Sequence, residues 1–307
     1  MKTLSKYLFA LSGMMFVIAS GLYLSGNVSM TGAPLILFFL TLALGIRGNE
    51  NLKGFSFTVL IFAAVSLSMF YPQDFVQWGD FQLKKLIVPL LQIIMFGMGT
   101  AMSFNDFYGV IKMPKGVLVG LICQFSIMPF LGFSLATLFN FPAEIAAGVV
   151  LIGSSPSGLA SNVMAYLAKA NVALSVTLTA VATVVAPFMT PLLMKYFAGA
   201  FVPIDFVAMM LSIVKMVILP VVLGLVFNHF FHGKAKWLDK AMPVVSMTAI
   251  ALIIMIITAA GRDSLLSIGI LLGLAAIIHN LLGYLLGYWG CRLLKMKEQD
   301  CRTIALE

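Results

Sequence analysis

Long apolar runs dominate the chain, and polar or helix-breaking residues punctuate them at near-regular intervals. Runs bounded by charge, Gly or Pro cover residues 4–24, 28–46, 55–70, 86–103 and 117–139, then 143–169, 172–194, 205–232, 242–260 and 266–294. Most approach the ~20 residues that one helical crossing of a bilayer needs. The pattern therefore predicts ten crossings joined by short loops. Lys2 and Lys6 precede the first run like the start of a signal peptide. No small-x-small cleavage site follows it, so an uncleaved helix is expected. The 28–46 run, interrupted by Pro34, is only just long enough to span.

Composition narrows the class. Of 307 residues, 61% are hydrophobic and 10% charged, and mean hydropathy is +1.06. Soluble domains are typically about 45–50% apolar and about 25% charged. A water-soluble globule, a disordered chain and a disulfide scaffold are thereby excluded, and almost no length is left for a soluble catalytic domain. The three cysteines, Cys123, Cys291 and Cys301, show no CxxC spacing and read as buried or reduced thiols.

The net charge of +8 would suggest nucleic acid in a soluble chain, but here it reports topology. With ten crossings, 14 of the 19 basic residues fall in loops or ends on the side of the N-terminus, among them Arg47, Lys112, Lys115, Lys169, Lys234, Lys295 and Lys297. Lys84, Lys85, Lys195 and Arg262 fall on the other side, and Lys215 lies within a run. Cytoplasmic loops retain Lys and Arg, so both ends are expected in the cytoplasm of a cell (inner) membrane protein. Lys215 reads as a long stem snorkelling to an interface.

One crossing departs from the rest. The 143–169 run contains Gly153-Ser154-Ser155-Pro156-Ser157-Gly158-Leu159-Ala160-Ser161-Asn162, which weakens a helix through Gly, Pro and successive serines. Unpaired backbone in hydrocarbon is costly, so such a break persists only against protein or a wet cavity. A broken mid-membrane helix is also a pointer to a transporter's ion or substrate site. Taken alone, a proline kink without ligand explains it too.

Polar side chains gather around the break. Ser161 and Asn162 open its second half, Ser175 and Thr179 stand four apart on one face of the next run, and Gln124 lies deep in 117–139. Hydroxyls, amide oxygens and unwound carbonyls are hard donors suited to an alkali cation, without the His/Cys pattern of zinc. Each alone is equally a helix–helix contact. Glu144 at the start of the broken run suits the helix dipole, and His279-Asn280 reads as interhelical hydrogen bonding. No nucleophile elbow, HExxH or P-loop is present.

Ordered blocks carry a resemblance. Ile94-Met95-Phe96-Gly97-Met98-Gly99, Gln124-Phe125-Ser126-Ile127-Met128-Pro129 and Phe141-Pro142-Ala143-Glu144-Ile145 resemble the bile acid:sodium symporter family. So do Ala160-Ser161-Asn162-Val163-Met164, Asn171-Val172-Ala173-Leu174-Ser175-Val176 and Ser212-Ile213-Val214-Lys215-Met216-Val217. The likeness runs from about residue 54 to the last residue and is nearest to bacterial members. It implies an all-α polytopic membrane protein with an inverted-repeat transporter fold: two five-helix repeats, the fourth and ninth helices broken where they cross, and a four-helix panel against a core. In that scheme residues 1–48 are an extra N-terminal helical hairpin and 52–195 the first repeat, with 143–169 its broken crossover helix. Residues 203–307 are an incomplete second repeat of three helices.

By the same resemblance, one sodium site takes Ser161, Asn162, Ser175, Thr179 and the Glu307 carboxylate. A second takes Gln124 and Glu307 with ligands from beyond. An organic anion lies near the half-helix N-termini, where the backbone of Leu159 and Ala160 contacts it. Many members carry a small polar residue where this chain has Leu159. Glu307 matches the first residue of the family's Glu-x-Gly-Met-Gln-Asn motif, so the chain is expected to be C-terminally truncated, and this form impaired or inactive.

The combined expectation is a sodium-coupled symporter for a bile-acid-like or small carboxylate anion, working by alternating access. Its partners are Na+, the anion and the bilayer, with no nucleic acid, no catalytic cofactor and no metal besides sodium. A non-transporting membrane relic or scaffold is the alternative. A membrane-embedded enzyme would have to work with His229, His232 and His279, and a proton antiporter would want a deep carboxylate besides Glu307. Oligomeric state is not legible.

Overall fold

The computed structural model describes residues 2–49, 52–231 and 236–307. His232 and Lys234 lie outside the described residues, as does the side chain of Leu159. Among the described residues nine helices are long and apolar enough to cross a membrane. The remaining predicted crossing, 143–169, is two shorter helices in sequence. Side chains such as Ile270, 94% exposed, and Leu138, 76% exposed, stand on the outside of these helices, where lipid is their compatible solvent.

The chain forms two compact units. The first comprises residues 1–94 and 240–268. It contains α1 (Lys2–Leu24), α2 (Val28–Arg47), α3 (Ser56–Phe70) and the short α4 (Gln73–Val76). The small antiparallel hairpin β1 (Gln77–Trp78) and β2 (Phe81–Gln82) follows. The 28–46 run is a genuine helix despite Pro34, which forfeits a single backbone bond, the one to the Met30 carbonyl. Its Gly32 lies against the Phe70 ring, and rings of Phe38 and Phe39 meet Phe16 and Phe62. Ser5 Oγ donates to the Gly45 carbonyl at 2.7 Å, and Arg262 Nε to that of Met69 at 2.8 Å.

The second unit comprises residues 95–239 and 269–307. It takes most of α5 (Ile87–Ala101), the single turns α6 (Phe104–Phe107) and α7 (Gly109–Lys112), and α8 (Pro114–Leu138). Then come α9 (Ala143–Ser154), α10 (Leu159–Leu167), α11 (Val172–Phe197), α12 (Phe206–Ile213) and α13 (Leu219–Phe231). A π turn, Val214–Ile218, joins α12 to α13 and carries Lys215. Most of α14 (Lys236–Ala260) belongs to the first unit, and α15 (Arg262–Leu293) passes from the first to the second. The chain closes with α16 (Glu298–Leu306).

Small residues let these helices approach closely. A Cβ on Gly99 of α5 would run into the Val221 carbonyl, and one on Gly224 of α13 into that of Phe96. The two glycines thus form a reciprocal contact, which packs membrane helices where no hydrophobic force does. Around α11, Val117, Leu174, Leu178, Cys291, Cys301 and Ile304 make one buried cluster. The cysteines are buried or half-buried free thiols, as expected.

Candidate functional site

The break between α9 and α10 follows from three residues. Pro156 disfavours helix at the preceding position, and Ser155 is extended, with φ −86° and ψ 150°. Gly158 is extended again and caps α10. α9 opens at Pro142 with Glu144 in its first turn, as the sequence suggested.

Buried carbonyls freed by such a break need donors, and the structure supplies them. Thr190 Oγ1 donates to the Ser154 carbonyl at 2.7 Å, and Gln124 Nε2 to the Ser155 carbonyl at 3.3 Å. Ser154 and Ser155 turn their own hydroxyls back onto α9, toward Val150 and Leu151.

The polar residues singled out in the sequence converge beside the break. Ser175 and Thr179 of α11 both reach the Glu307 carboxylate, Ser175 at Oε1 and Thr179 at Oε2, the latter 3.1 Å away. Asn162 Oδ1 lies 2.7 Å from Ser175 Oγ and 3.4 Å from Thr179 Oγ1. Ser161 Oγ is 3.4 Å from Thr179 Oγ1 and donates to the Gly158 carbonyl. Ser157, which the sequence reading left out, donates to Glu307 Oε2 and touches Thr179. Its signal was position, a hydroxyl between Pro156 and Gly158 at the centre of the break.

The cluster is rich in oxygen and short of protons. Ser175 faces two acceptors, Glu307 Oε1 and Asn162 Oδ1, with a single hydroxyl proton. The Ser161 proton is engaged by Gly158. Among the described residues no basic side chain pairs with Glu307. A carboxylate, an amide oxygen and four hydroxyls around one point form a donor set for a hard monovalent cation, whereas His/Cys/Asp/Glu clusters fit for a transition metal are absent among the described residues.

Gln124 is not in this cage. It lines a cavity of about 100 Å³ together with Met128, Asn280, Tyr284 and Glu307. Its Oε1 is buried and makes no hydrogen bond, an exception to the rule that buried polar atoms are paired. His279 Nε2 lies 2.9 Å from the Met128 carbonyl, an interhelical bond as anticipated, but Asn280 bonds within its own helix, to Ala276. Ala160 is exposed beside the start of α10, where first-turn N–H groups lack helical partners.

Glu307 is delivered to the cage by α16, and Asn171 holds that helix in place. Asn171 Oδ1 caps α11 at the Leu174 N–H (3.1 Å), while its Nδ2 donates to Asp300 at 2.8 Å. Thr303 Oγ1 accepts from the Asn171 N–H at 2.9 Å, and Arg302 reaches the Ala168 carbonyl. Asn171→Ala is expected to lose the cap, about 1 kcal/mol, and the tie to Asp300, about 1 kcal/mol more. Thermal unfolding in detergent should show the loss; an unchanged midpoint would mean that α16 is seated by the apolar cluster alone.

Comparison with known proteins follows the same lines. The profile of the sodium bile acid symporter family matches residues 88–268. A sodium-dependent transporter of Bacillus subtilis, YocS, is 39% identical over 262 residues, covering 85% of this chain and 80% of that protein. A probable sodium/metabolite cotransporter of Arabidopsis thaliana chloroplasts, BASS1, is 35% identical over 217 residues, which cover 71% of this chain but 54% of that protein. The human ileal sodium/bile acid cotransporter is 33% identical over 237 residues, 73% of this chain and 66% of its own length. The chain thus spans little more than half of the plant relative and about two thirds of the human one.

Proposed function

We propose, from the premise that this chain belongs to the sodium bile acid symporter family, that its Glu307 cage binds a sodium ion whose entry is coupled to uptake of an organic anion. The family consists of sodium-coupled transporters and not enzymes, and the chain is a multi-pass membrane protein, helical but for one short hairpin. The finer assignments are our reading. Ser161, Asn162, Ser175, Thr179 and Glu307, joined by Ser157, hold one ion. Gln124 Oε1 and Glu307 serve a second.

The observation that carries the reading is the oxygen cage at the broken helix, with one carboxylate and no basic partner among the described residues. Sodium there turns the hydroxyl lone pairs inward and relieves the oxygen–oxygen approach between Ser175, Asn162 and Glu307. The organic anion, bile-acid-like or a small carboxylate, sits near the N-terminus of α10, where the backbone N–H groups of Leu159 and Ala160 favour negative charge. Moving one anion with two cations leaves a net positive charge in transit, so an inside-negative membrane potential drives uptake. The protein lies in the cell membrane with its N-terminus cytoplasmic, and its repeats follow residues 52–195 and 203–307.

Full-length protein in proteoliposomes should accumulate labelled taurocholate or a small carboxylate under an inward sodium gradient, and not under an equal potassium gradient. Uptake that follows a proton gradient and ignores sodium would refute the reading.

A further inference from the structure

A second polar recess lies away from the oxygen cage, in the second unit. Lys112 and Lys115, flanking the start of α8, and Lys295 and Lys297, in the turn between α15 and α16, line a cavity of about 310 Å³. All four are exposed, and among the described residues none forms an ion pair. The one acidic residue in the lining is Asp300, and it already accepts from Asn171 Nδ2 at 2.8 Å. Four cations gathered around one recess repel each other, an arrangement that an anion relieves.

Local structure places two of the four lysines. Lys115 Nζ donates to the Leu294 carbonyl at 3.0 Å, which ties α8 to the end of α15. Lys295 adopts a left-handed backbone, φ 54°, and its N–H returns to the Arg292 carbonyl at 2.9 Å. This turn brings Lys295, Met296 and Lys297 to the lining of the recess. α8 starts with Pro114 at its first position and no side-chain cap, so its positive dipole end faces the same space.

The recess stands where two membrane-length helices end: Pro114 opens one and Leu293 closes the other. That is the depth of a phospholipid headgroup, and basic pockets between transmembrane helices at this level suit anionic headgroups. Lysine binds phosphate as a point charge and needs no bidentate geometry. We propose that this recess is a phosphate site that takes the phosphodiester of an anionic phospholipid at the membrane surface, and is separate from the transported ions.

The test is native mass spectrometry of the full-length protein released from nanodiscs of phosphatidylglycerol and cardiolipin, with phosphatidylcholine nanodiscs as reference. The Lys112→Gln/Lys297→Gln variant is compared with Lys84→Gln/Lys85→Gln, which removes equal charge elsewhere. Retained anionic lipid should fall roughly tenfold in the first variant and stay unchanged in the second. A parallel arm measures thermal stabilisation by inorganic phosphate in neutral detergent. Stabilisation by phosphate that needs Lys112 and Lys297, without lipid retention, would keep the phosphate site and overturn its lipid source. Equal losses in both variants, or none in either, would overturn the site itself. Sodium-driven uptake reports separately on the oxygen cage, so failure of one reading is distinguishable from failure of the other.

Discussion

Glu307→Gln is expected to lower sodium affinity at least thirtyfold, about 2 kcal/mol, while leaving the fold intact. The substitution preserves shape and keeps oxygen and nitrogen atoms within reach of Ser157, Ser175 and Thr179. What it removes is the single negative charge in the cage. A unit charge about 4 Å from a cation is worth about 4 kcal/mol at an effective dielectric of 20, and part of this is regained from water. The measurement is sodium-dependent thermal stabilisation of the full-length protein against a potassium control, followed by the sodium dependence of uptake. Thr179→Ala removes one neutral oxygen from the cage and should cost several-fold less. If Glu307→Gln binds sodium as wild type does, the carboxylate is a structural acceptor for its hydroxyls and the cage is not the ion site.

The second large effect concerns packing behind the site. Gly153→Ala is expected to destabilise by about 3 kcal/mol, and Gly153→Val by more, with loss of uptake in both. A Cβ at Gly153 would strike the Met128 carbonyl oxygen, with the carbonyl carbon 2.7 Å and Pro129 N 3.1 Å away. These are backbone atoms, so no rotamer change relieves the clash. Pro129 stiffens the same stretch of α8, and the Met128 carbonyl is also the partner of His279. Displacement there would spread to α15. Gly148, on the same helix, has no atom within 4 Å of its would-be Cβ. Gly148→Ala should therefore be neutral, or slightly stabilising through helix propensity. Equal unfolding midpoints for the two alanine variants would contradict the packing account.

Much of this arrangement was legible in the chain because membrane crossings impose strong rules. Length and hydropathy separate the runs. Pro156 beside Gly158 and the serines marks the one crossing that cannot stay helical. The i, i+4 spacing of Ser175 and Thr179 put two hydroxyls on one face, and both meet Glu307. Other features depend on partners that no local pattern names. Ser157 belongs to the cage only because α16 carries Glu307 to it from 150 residues away. The orphaned Gln124 oxygen follows from the commitment of its nitrogen to Ser155, which is a fact about the break and not about the glutamine. Asn171 looks like an ordinary helix cap until Asp300 is seen on its other side. The reciprocal glycines, Gly99 and Gly224, are far apart in sequence and each is unremarked within its own helix.

That glycine contact depends on the widened turn at Val214–Ile218. A π turn accommodates one residue more than an α turn, and one residue of an α-helix is worth about 100° of rotation. The face that α13 shows to α5 is therefore set by a phase slip one to two turns upstream. Were the segment regular, Gly224 would swing away from Gly99 and a bulkier neighbour would take its place against the Phe96 carbonyl. Deleting one apolar residue within 214–218 would remove the residue that the wide turn absorbs, so the crossing would run as a regular α-helix with Gly224 still turned toward Gly99. Forcing all five residues into regular α turns instead would rotate the last half of that crossing out of register.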